Sequence, residues 1–278
     1  MLSYQHGYHA GCFADVIKHL SLSCLFSYLT QKEKPLFYLD THAGRGLYDL
    51  KSPEAMKNQE FLLGISALYS KKKHLPQEFR PYFSAVEHWN LEGNLRYYPG
   101  SAALAVHALR SQDRVFLCEK HPLEFEHLNT FTQTFPRVHC SNEDGYEALL
   151  ARLPPPEHRG IIMIDPSYEL KDEYRLVAKK LQAALKLFST GVYCIWYPII
   201  NQHLRSNLIR HFSELPTTCS LNAEFYLNSQ PPLGMDGCGL YVINPPYTLE
   251  QDLRVIFDCL LSVLNPGRSS YQLKSNGN

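Results

Sequence analysis

Apolar residues at positions 13, 16, 17, 20, 24 and 28 repeat at the spacing of one helical face, which predicts a helix over about 13–29. The pattern then changes. Residues 35–40 read Pro-Leu-Phe-Tyr-Leu-Asp, an apolar run without alternation, as expected of a strand covered on both faces. Comparable runs at 114–118, 137–140, 160–164, 191–197, 218–227 and 239–243 predict further strands, with helices at 102–109, from about 122, at 202–213 and at 249–264. Strands alternating with helices imply an α/β fold. Ser101 is expected to N-cap the helix at 102–109. Residues of about 52–95 interrupt the rhythm and read as a small helical insertion, in which Phe61, Leu62, Ile65, Leu68 and Tyr69 mark one amphipathic helix. The whole chain, 1–278, reads as one α/β domain that includes an N-terminal arm and helix over 1–30 and that insertion. A Gly/Pro loop is expected at 229–239, and the polar tail after 264 is expected to be disordered.

The strand ends carry the chemistry. The run Gly160-Ile161-Ile162-Met163-Ile164 delivers Asp165-Pro166-Ser167-Tyr168, and open α/β sheets bind ligands in the crevice outside the carboxyl ends of their strands. The Asp165 carboxylate and the Pro166 carbonyl are suited to accept the N–H groups of an exocyclic base amine. Tyr168 would stack on the base, a contact worth roughly 1–3 kcal/mol. The same four residues are also ordinary turn composition, so alone they leave both readings open. Asn244-Pro245-Pro246-Tyr247 has the second proline that the first tetrapeptide lacks. Position favours Asp165, which ends the fourth strand, whereas Asn244 ends the last one and reads as a rigid turn.

Asp40-Thr41-His42-Ala43-Gly44-Arg45-Gly46 is a nucleotide-binding turn: its glycines let the backbone approach a ligand closely. Position 49 is Asp, so the third glycine of a dinucleotide site is missing, which weighs against a nicotinamide dehydrogenase. Acid and glycine spacing fits the first motif of S-adenosylmethionine-dependent methyltransferases better. Glu119 ends the next strand, about 75 residues after Gly44, where a Rossmann-like site holds ribose hydroxyls. The usual separation is about 20 residues, and the insertion accounts for the difference. Asp144 ends the third strand and is suited to an adenine edge. Asp15 and His19, four apart on the first helix, would be expected to pair on its surface if that helix stood alone.

Composition narrows the partners little. Lysine plus arginine and aspartate plus glutamate both number 27, so any basic surface is a local patch. The densest is Lys71-Lys72-Lys73-His74, which reads as a solvated loop or as a hold on nucleic-acid phosphates. Eight scattered cysteines without a Cys-x-x-Cys pair, and a start without a signal segment, lead us to expect free thiols and a cytoplasmic protein. No apolar run approaches the roughly 20 residues of a membrane span, and neither a metal site nor an oligomer is expected.

The chain resembles the large-subunit (23S) ribosomal RNA adenine-N6 methyltransferase J family (RlmJ) over nearly its whole length. The resemblance rests on Met1-Leu2-Ser3-Tyr4, on His9-Ala10-Gly11 with Ala14-Asp15-Val16 and Lys18-His19, and on Tyr38-Leu39-Asp40-Thr41-His42-Ala43-Gly44. It continues through Leu95-Arg96-Tyr97-Tyr98-Pro99-Gly100-Ser101, Glu119 with His121-Pro122, Asp144-Gly145, Trp196-Tyr197-Pro198 and Ile243-Asn244-Pro245-Pro246. It implies a Rossmann-like S-adenosylmethionine-dependent methyltransferase sheet with 23S ribosomal RNA as the partner. Lys18, His19, His42, Gly44, Ser101, Glu119, Asp144, Gly145 and Asp165 would line the cofactor site. Asp165 would also bind the amine, with Pro166 and Tyr168 completing the catalytic group. Tyr4, His6, Lys71, Lys72 and Lys73 are the residues expected to meet RNA. The family has a second proline where this chain has Ser167, which removes a fixed φ while leaving both amine acceptors in place. Two alternatives share the amine chemistry or the fold: a DNA adenine or cytosine amino-methyltransferase, and a catalytically weakened RNA-binding relative.

Overall fold

The structure, a computed structural model, describes residues 5–170, 172–228 and 234–277. It opens with α1 (Phe13–Leu29), β1 (Phe37–Asp40), β2 (Leu47–Asp49), α2 (Pro53–Asn58), α3 (Ile65–Tyr69), α4 (Arg80–His88), β3 (Tyr97–Pro99) and α5 (Ser101–Ala108). There follow β4 (Arg114–Cys118), α6 (Pro122–Thr132), β5 (Val138–Ser141), α7 (Gly145–Ala151), β6 (Gly160–Ile164), α8 (Glu173–Leu187) and β7 (Val192–Ile199). The chain closes with α9 (Gln202–Ser213), β8 (Ser220–Tyr226), β9 (Gly237–Ile243), α10 (Leu249–Leu261) and β10 (Ser270–Asn276).

An 8-stranded sheet runs in the order β10-β8-β9-β7-β6-β1-β4-β5, and β2 and β3 form a separate ribbon. The strands β5, β4, β1, β6 and β7 are parallel, while β9 is antiparallel to both β7 and β8. This is the α/β sheet expected from the sequence. β6 lies between β1 and β7 with every residue buried, which is why its sequence is a continuous apolar run. Asp40 is in register with Met163 on one side and Leu117 on the other. The residues following β1, β4 and β6 therefore share one edge of the sheet.

α1 has the predicted bounds but not the predicted environment, because it is buried from Phe13 to Phe26 between the sheet and α4, α5 and α10. Its serines tolerate this: Ser21 and Ser23 donate to the Ile17 and His19 carbonyls at 2.8 and 2.7 Å, satisfying their hydroxyls inside the helix. Asp15 and His19 are both 1% exposed, and neither pairs with the other, contrary to the surface pair expected.

Three further expectations need correction. The helix expected through 61–69 is a 3-10 turn at Glu60–Leu63 and then α3, broken at Gly64, where the Ile65 N–H leaves the local helix to donate to the Gly11 carbonyl at 2.9 Å. Ser101 is the first residue of α5 and not its cap, a place taken by Gly100. The tail is not wholly irregular, since β10 pairs antiparallel with β8 from Ser270 to Asn276, and Tyr271 packs edge-on against Phe257 of α10. Its alternating half-buried and exposed residues are an edge-strand pattern, hidden in sequence by low hydrophobicity. The loop expected at 229–239 lies partly outside the described residues, and β9 begins within it.

Deleting residues 266–278 should therefore lower the melting temperature by about 4 °C or more, the shift that ~1–2 kcal/mol produces in a chain of this size. Calorimetry of the truncated protein checks this, and an unchanged melting temperature would return the tail to an unstructured role.

Candidate active site

Four acids stand at or just beyond the carboxyl ends of the parallel strands: Asp40 on β1, Glu119 after β4, Asp144 at the start of α7 after β5, and Asp165 after β6. α1 runs beneath them, and its first turns bring Asp15, Lys18 and His19 to the same edge. The Lys18 ammonium lies 2.6 Å from Asp165 Oδ2 and 2.9 Å from Asp15 Oδ1. Asp15 Oδ2 in turn accepts from the Gly11 N–H at 2.9 Å and lies 2.8 Å from His6 Nε2. Burial would raise the Asp15 carboxyl, but His6 and Lys18 overcome it and hold the group well below the usual carboxylate range. Burial would likewise release the Lys18 proton, yet Asp15 and Asp165 hold its pKa well above that of a free lysine. His19 sits lower in the core, with Nδ1 2.7 Å from the Tyr98 hydroxyl, and burial keeps its ring neutral.

The glycine turn after β1 is built around two of the acids. Asp40 is fully buried and receives the Tyr38 hydroxyl at 2.8 Å, the His42 N–H at 3.2 Å and the Ser101 hydroxyl. Burial still dominates and lifts its carboxyl to about 6. Glu119 accepts from the Gly44 and His121 N–H groups at 2.9 and 2.7 Å, and burial raises it to about 7. Gly44 has φ 60° and a Cβ there would run into the Tyr48 hydroxyl, so the turn needs glycine on both counts. His42 contacts Thr41 Oγ1 at 2.8 Å and meets the Tyr146 ring edge-on at 5.3 Å, while burial lowers its pKa to about 4.

Asp144 caps α7 through the Tyr146 N–H at 3.0 Å and pairs with Lys120 at 2.8 Å. These contacts outweigh desolvation and lower its pKa. A Cβ on Gly145 would strike the Thr41 carbonyl, so α7 can approach β1 only with glycine at its start.

The structure thus brings Lys18, His42, Gly44, Ser101, Glu119, Asp144, Gly145 and Asp165 to one edge of the sheet, with His19 beneath. Pro166 is buried beside Asp165. Tyr168 departs from the expectation of an open stacking face. It is 6% exposed, packs against Tyr174 with ring centroids 4.6 Å apart, and donates its hydroxyl to the Trp196 carbonyl at 2.9 Å. In this conformation, with φ 53°, it braces the loop against β7.

His6 joins the site through Asp15, whereas Tyr4 lies outside the described residues. The lysine run turns elsewhere. Lys72 pairs with Glu87 at 2.7 Å and lies over the Tyr69 ring, Lys71 reaches the Ser262 carbonyl, and Lys73 is exposed. Asn244 is also accounted for, since its side chain donates to the Ser189 and Gly191 carbonyls at 2.8 Å, and the strand it ends runs antiparallel to β7. It therefore closes the opposite edge of the sheet from Asp165.

Sequence reasoning named Asp40 as the acid of the glycine turn but not its bond from Tyr38, and it missed two contributors: Asp15 as the second lysine partner, and Trp196, whose ring lies 5.7 Å from the Lys18 ammonium. The signal for Asp15 was its spacing of three from Lys18, a separation that places two side chains together on a helix.

Comparisons with known proteins identify the family. A family model described as "Ribosomal RNA large subunit methyltransferase D, RlmJ" matches residues 33–275. The chain is 40% identical over 275 residues to ribosomal RNA large subunit methyltransferase J of Escherichia coli K12, covering 98% of this chain and 97% of that one. Its identity to the protein of the same name from Haemophilus influenzae is 41% over 271 residues, with 96% and 95% covered. The crystal structure of protein LPL1258 from Legionella pneumophila superposes with a TM-score of 0.92 at 45% identity, covering 96% of this chain and 98% of that one. The chain belongs to the large-subunit ribosomal RNA methyltransferase J (RlmJ) family.

Proposed function

We propose that this enzyme transfers a methyl group from S-adenosylmethionine to the N6 amine of an adenine in 23S ribosomal RNA. The observation that carries the reading is Asp165: it ends the central strand, is ion-paired to buried Lys18, and stands in line with acids at the ends of three neighbouring parallel strands. The donor set fits the cofactor. Glu119, a carboxylate raised by burial and holding only backbone N–H groups, is suited to ribose hydroxyls. The backbone at Gly44 and Gly145 leaves room for close approach, Asp144 stands at a helix start, and His42 presents a neutral ring. When bound, S-adenosylmethionine supplies an electrophilic methyl group on a sulfonium.

The chain's own residues prepare the amine. Asp165 and the Pro166 carbonyl accept its N–H groups and turn its lone pair out of conjugation with the ring. Positive charge develops on N6 during transfer, and the fixed charge of Asp165 stabilises it. Lys18 keeps Asp165 in place, 2.6 Å from its ammonium, so that the carboxylate is positioned as acceptor and counter-charge. His6, partly exposed beside Asp15, faces the incoming RNA. The loop held by Tyr168 and Trp196 positions the tetrapeptide, with Ser167 giving it more freedom than a second proline would.

Asp165→Ala should cut methyl transfer by roughly 10²-fold or more, with a smaller loss of cofactor affinity. Asn244→Ala should instead lower stability, because it releases the Ser189 and Gly191 carbonyls, and leave turnover of the folded protein close to wild type. Single-turnover assays on unmodified 23S ribosomal RNA separate the cases. Full activity in Asp165→Ala with none in folded Asn244→Ala would move the active site to the other edge of the sheet.

Cofactor binding should depend on pH through Glu119. Its protonated form is a poorer acceptor for ribose hydroxyls, so a group raised to about 7 must lose its proton on binding. Affinity should rise roughly tenfold from pH 6 to pH 8 and then level off, and Glu119→Gln should flatten the rise. Calorimetric titration across that range tests this, and an identical pH profile in the variant would remove Glu119 from the ribose site.

A further inference from the structure

We infer that the groove between α8 and α9 holds the phosphate backbone of the RNA strand flanking the target adenine. The inference rests on the ribosomal RNA methyltransferase reading above and extends it to a surface outside the strand-end site.

α8 and α9 follow β6 and β7, parallel neighbours in the sheet, so both helices start at the edge where Asp165 lies. Between them run two depressions of about 280 and 540 Å³, which share Arg175 and His211 and so form one continuous groove. Its inner end is lined by Tyr174, the residue whose ring packs on Tyr168. The inner end of the groove therefore lies next to the loop that carries the Asp165 tetrapeptide.

Three of the cations in this groove lack internal partners, whereas His211 lies 3.9 Å from Glu214. Among the described residues, Arg175, Lys179 and Arg210 have no carboxylate within ion-pair distance and no side-chain hydrogen bond, and all three are exposed. Elsewhere Arg45, Arg96, Arg110, Arg114, Arg152 and Arg254 each pair with a carboxylate, and Arg137 and Arg159 donate to backbone carbonyls; Arg80 and Arg268 share the lack of a carboxylate partner among the described residues but do not line the groove. Arg205, on the same helix as Arg210, is committed to the buried Glu224. The inner depression contains Arg175, Arg210 and His211 and no acid, while Asp172 and Glu214 border only the outer one. Arg175 and Lys179 are four residues apart on one helix face, a like-charge pair that is unfavourable alone and is relieved by an anion between them. Arginine forks suit phosphate oxygens, and Asn207 and Gln182 add neutral donors along the path. Leu170 and Ile200, 68% and 59% exposed, lie in the loops that precede α8 and α9 and offer apolar contact to bases at the mouth.

The test compares the full chain with a variant carrying Arg175→Gln, Lys179→Gln and Arg210→Gln. Binding to an unmodified 23S ribosomal RNA transcript is measured at several salt concentrations, and S-adenosylmethionine binding is measured in parallel. Each lost phosphate contact should flatten the dependence of log K on log salt by about 0.7 for single-stranded or 0.9 for duplex RNA. We expect a total loss of about 2 in slope and at least a tenfold loss of RNA affinity, with cofactor affinity unchanged. If the triple variant loses its helical circular dichroism, Arg175→Gln and Arg210→Gln are measured singly, each expected to lose one contact's worth of slope. Wild-type slope and affinity in the folded variants would overturn the groove while leaving the methyltransferase reading intact. Failure of the wild-type protein itself to bind or methylate the transcript would overturn both.

Discussion

The site depends on one buried ammonium group shared by two carboxylates. Lys18 is 4% exposed and lies 2.9 Å from Asp15 and 2.6 Å from Asp165. Taking an ion that far out of water costs several kcal/mol, recovered only when partners and hydrogen bonds are well placed. Removing Lys18 would leave two carboxylates without their counter-charge, an effect of roughly 3–5 kcal/mol when one partner of a buried pair is lost. The interaction therefore constrains geometry more than it adds stability. It fixes α1 against the loop after β6, across 147 residues of sequence, and through Asp15 it recruits His6 and the Gly11 N–H from the N-terminal arm. The arm, the first helix and the tetrapeptide become one unit.

The acids along the sheet edge divide their roles by environment. Asp15 and Asp144 have cationic partners and are held below the ordinary carboxylate range, whereas Asp40 and Glu119 have mainly hydroxyl and N–H donors and rise to about 6 and about 7. A carboxyl group that sits near its pKa in a buried, uncharged pocket is matched to neutral hydroxyl donors. The same functional group thus sits in different surroundings at Glu119 and at Asp165, with position in the parallel sheet deciding which partners each acid meets.

Much of this was legible in the sequence where the signal was local. The apolar run before Asp165, the acid and glycines of 40–46, and the acids at 119 and 144 follow from strand termination alone, and the family resemblance joined them into one site. Tertiary placement was harder to read. The spacing of α1 suggested a one-faced helix because Ser21 and Ser23 look polar, yet each satisfies its hydroxyl within the helix and can be buried. Tyr168 looked like an exposed stacking ring because the tetrapeptide says nothing of Tyr174 and Trp196, which fold over it from α8 and β7. β10 was invisible because an edge strand needs little hydrophobicity when its neighbour β8 supplies the ladder. Lys71 to Lys73 stood out as a charge run, but Glu87, Tyr69 and the Ser262 carbonyl already engage two of the three.

The central claim is that Asp165 presents a single adenine amine of 23S ribosomal RNA for methylation. Mass mapping of ribosomal RNA from cells lacking this protein, complemented with the wild-type chain or with Asp165→Ala, tests it most directly. The account predicts one N6-methyladenine in 23S RNA that is absent from the deletion, restored by the wild-type chain and not restored by the variant. An unchanged 23S map in the deletion, or restoration by Asp165→Ala, would contradict it.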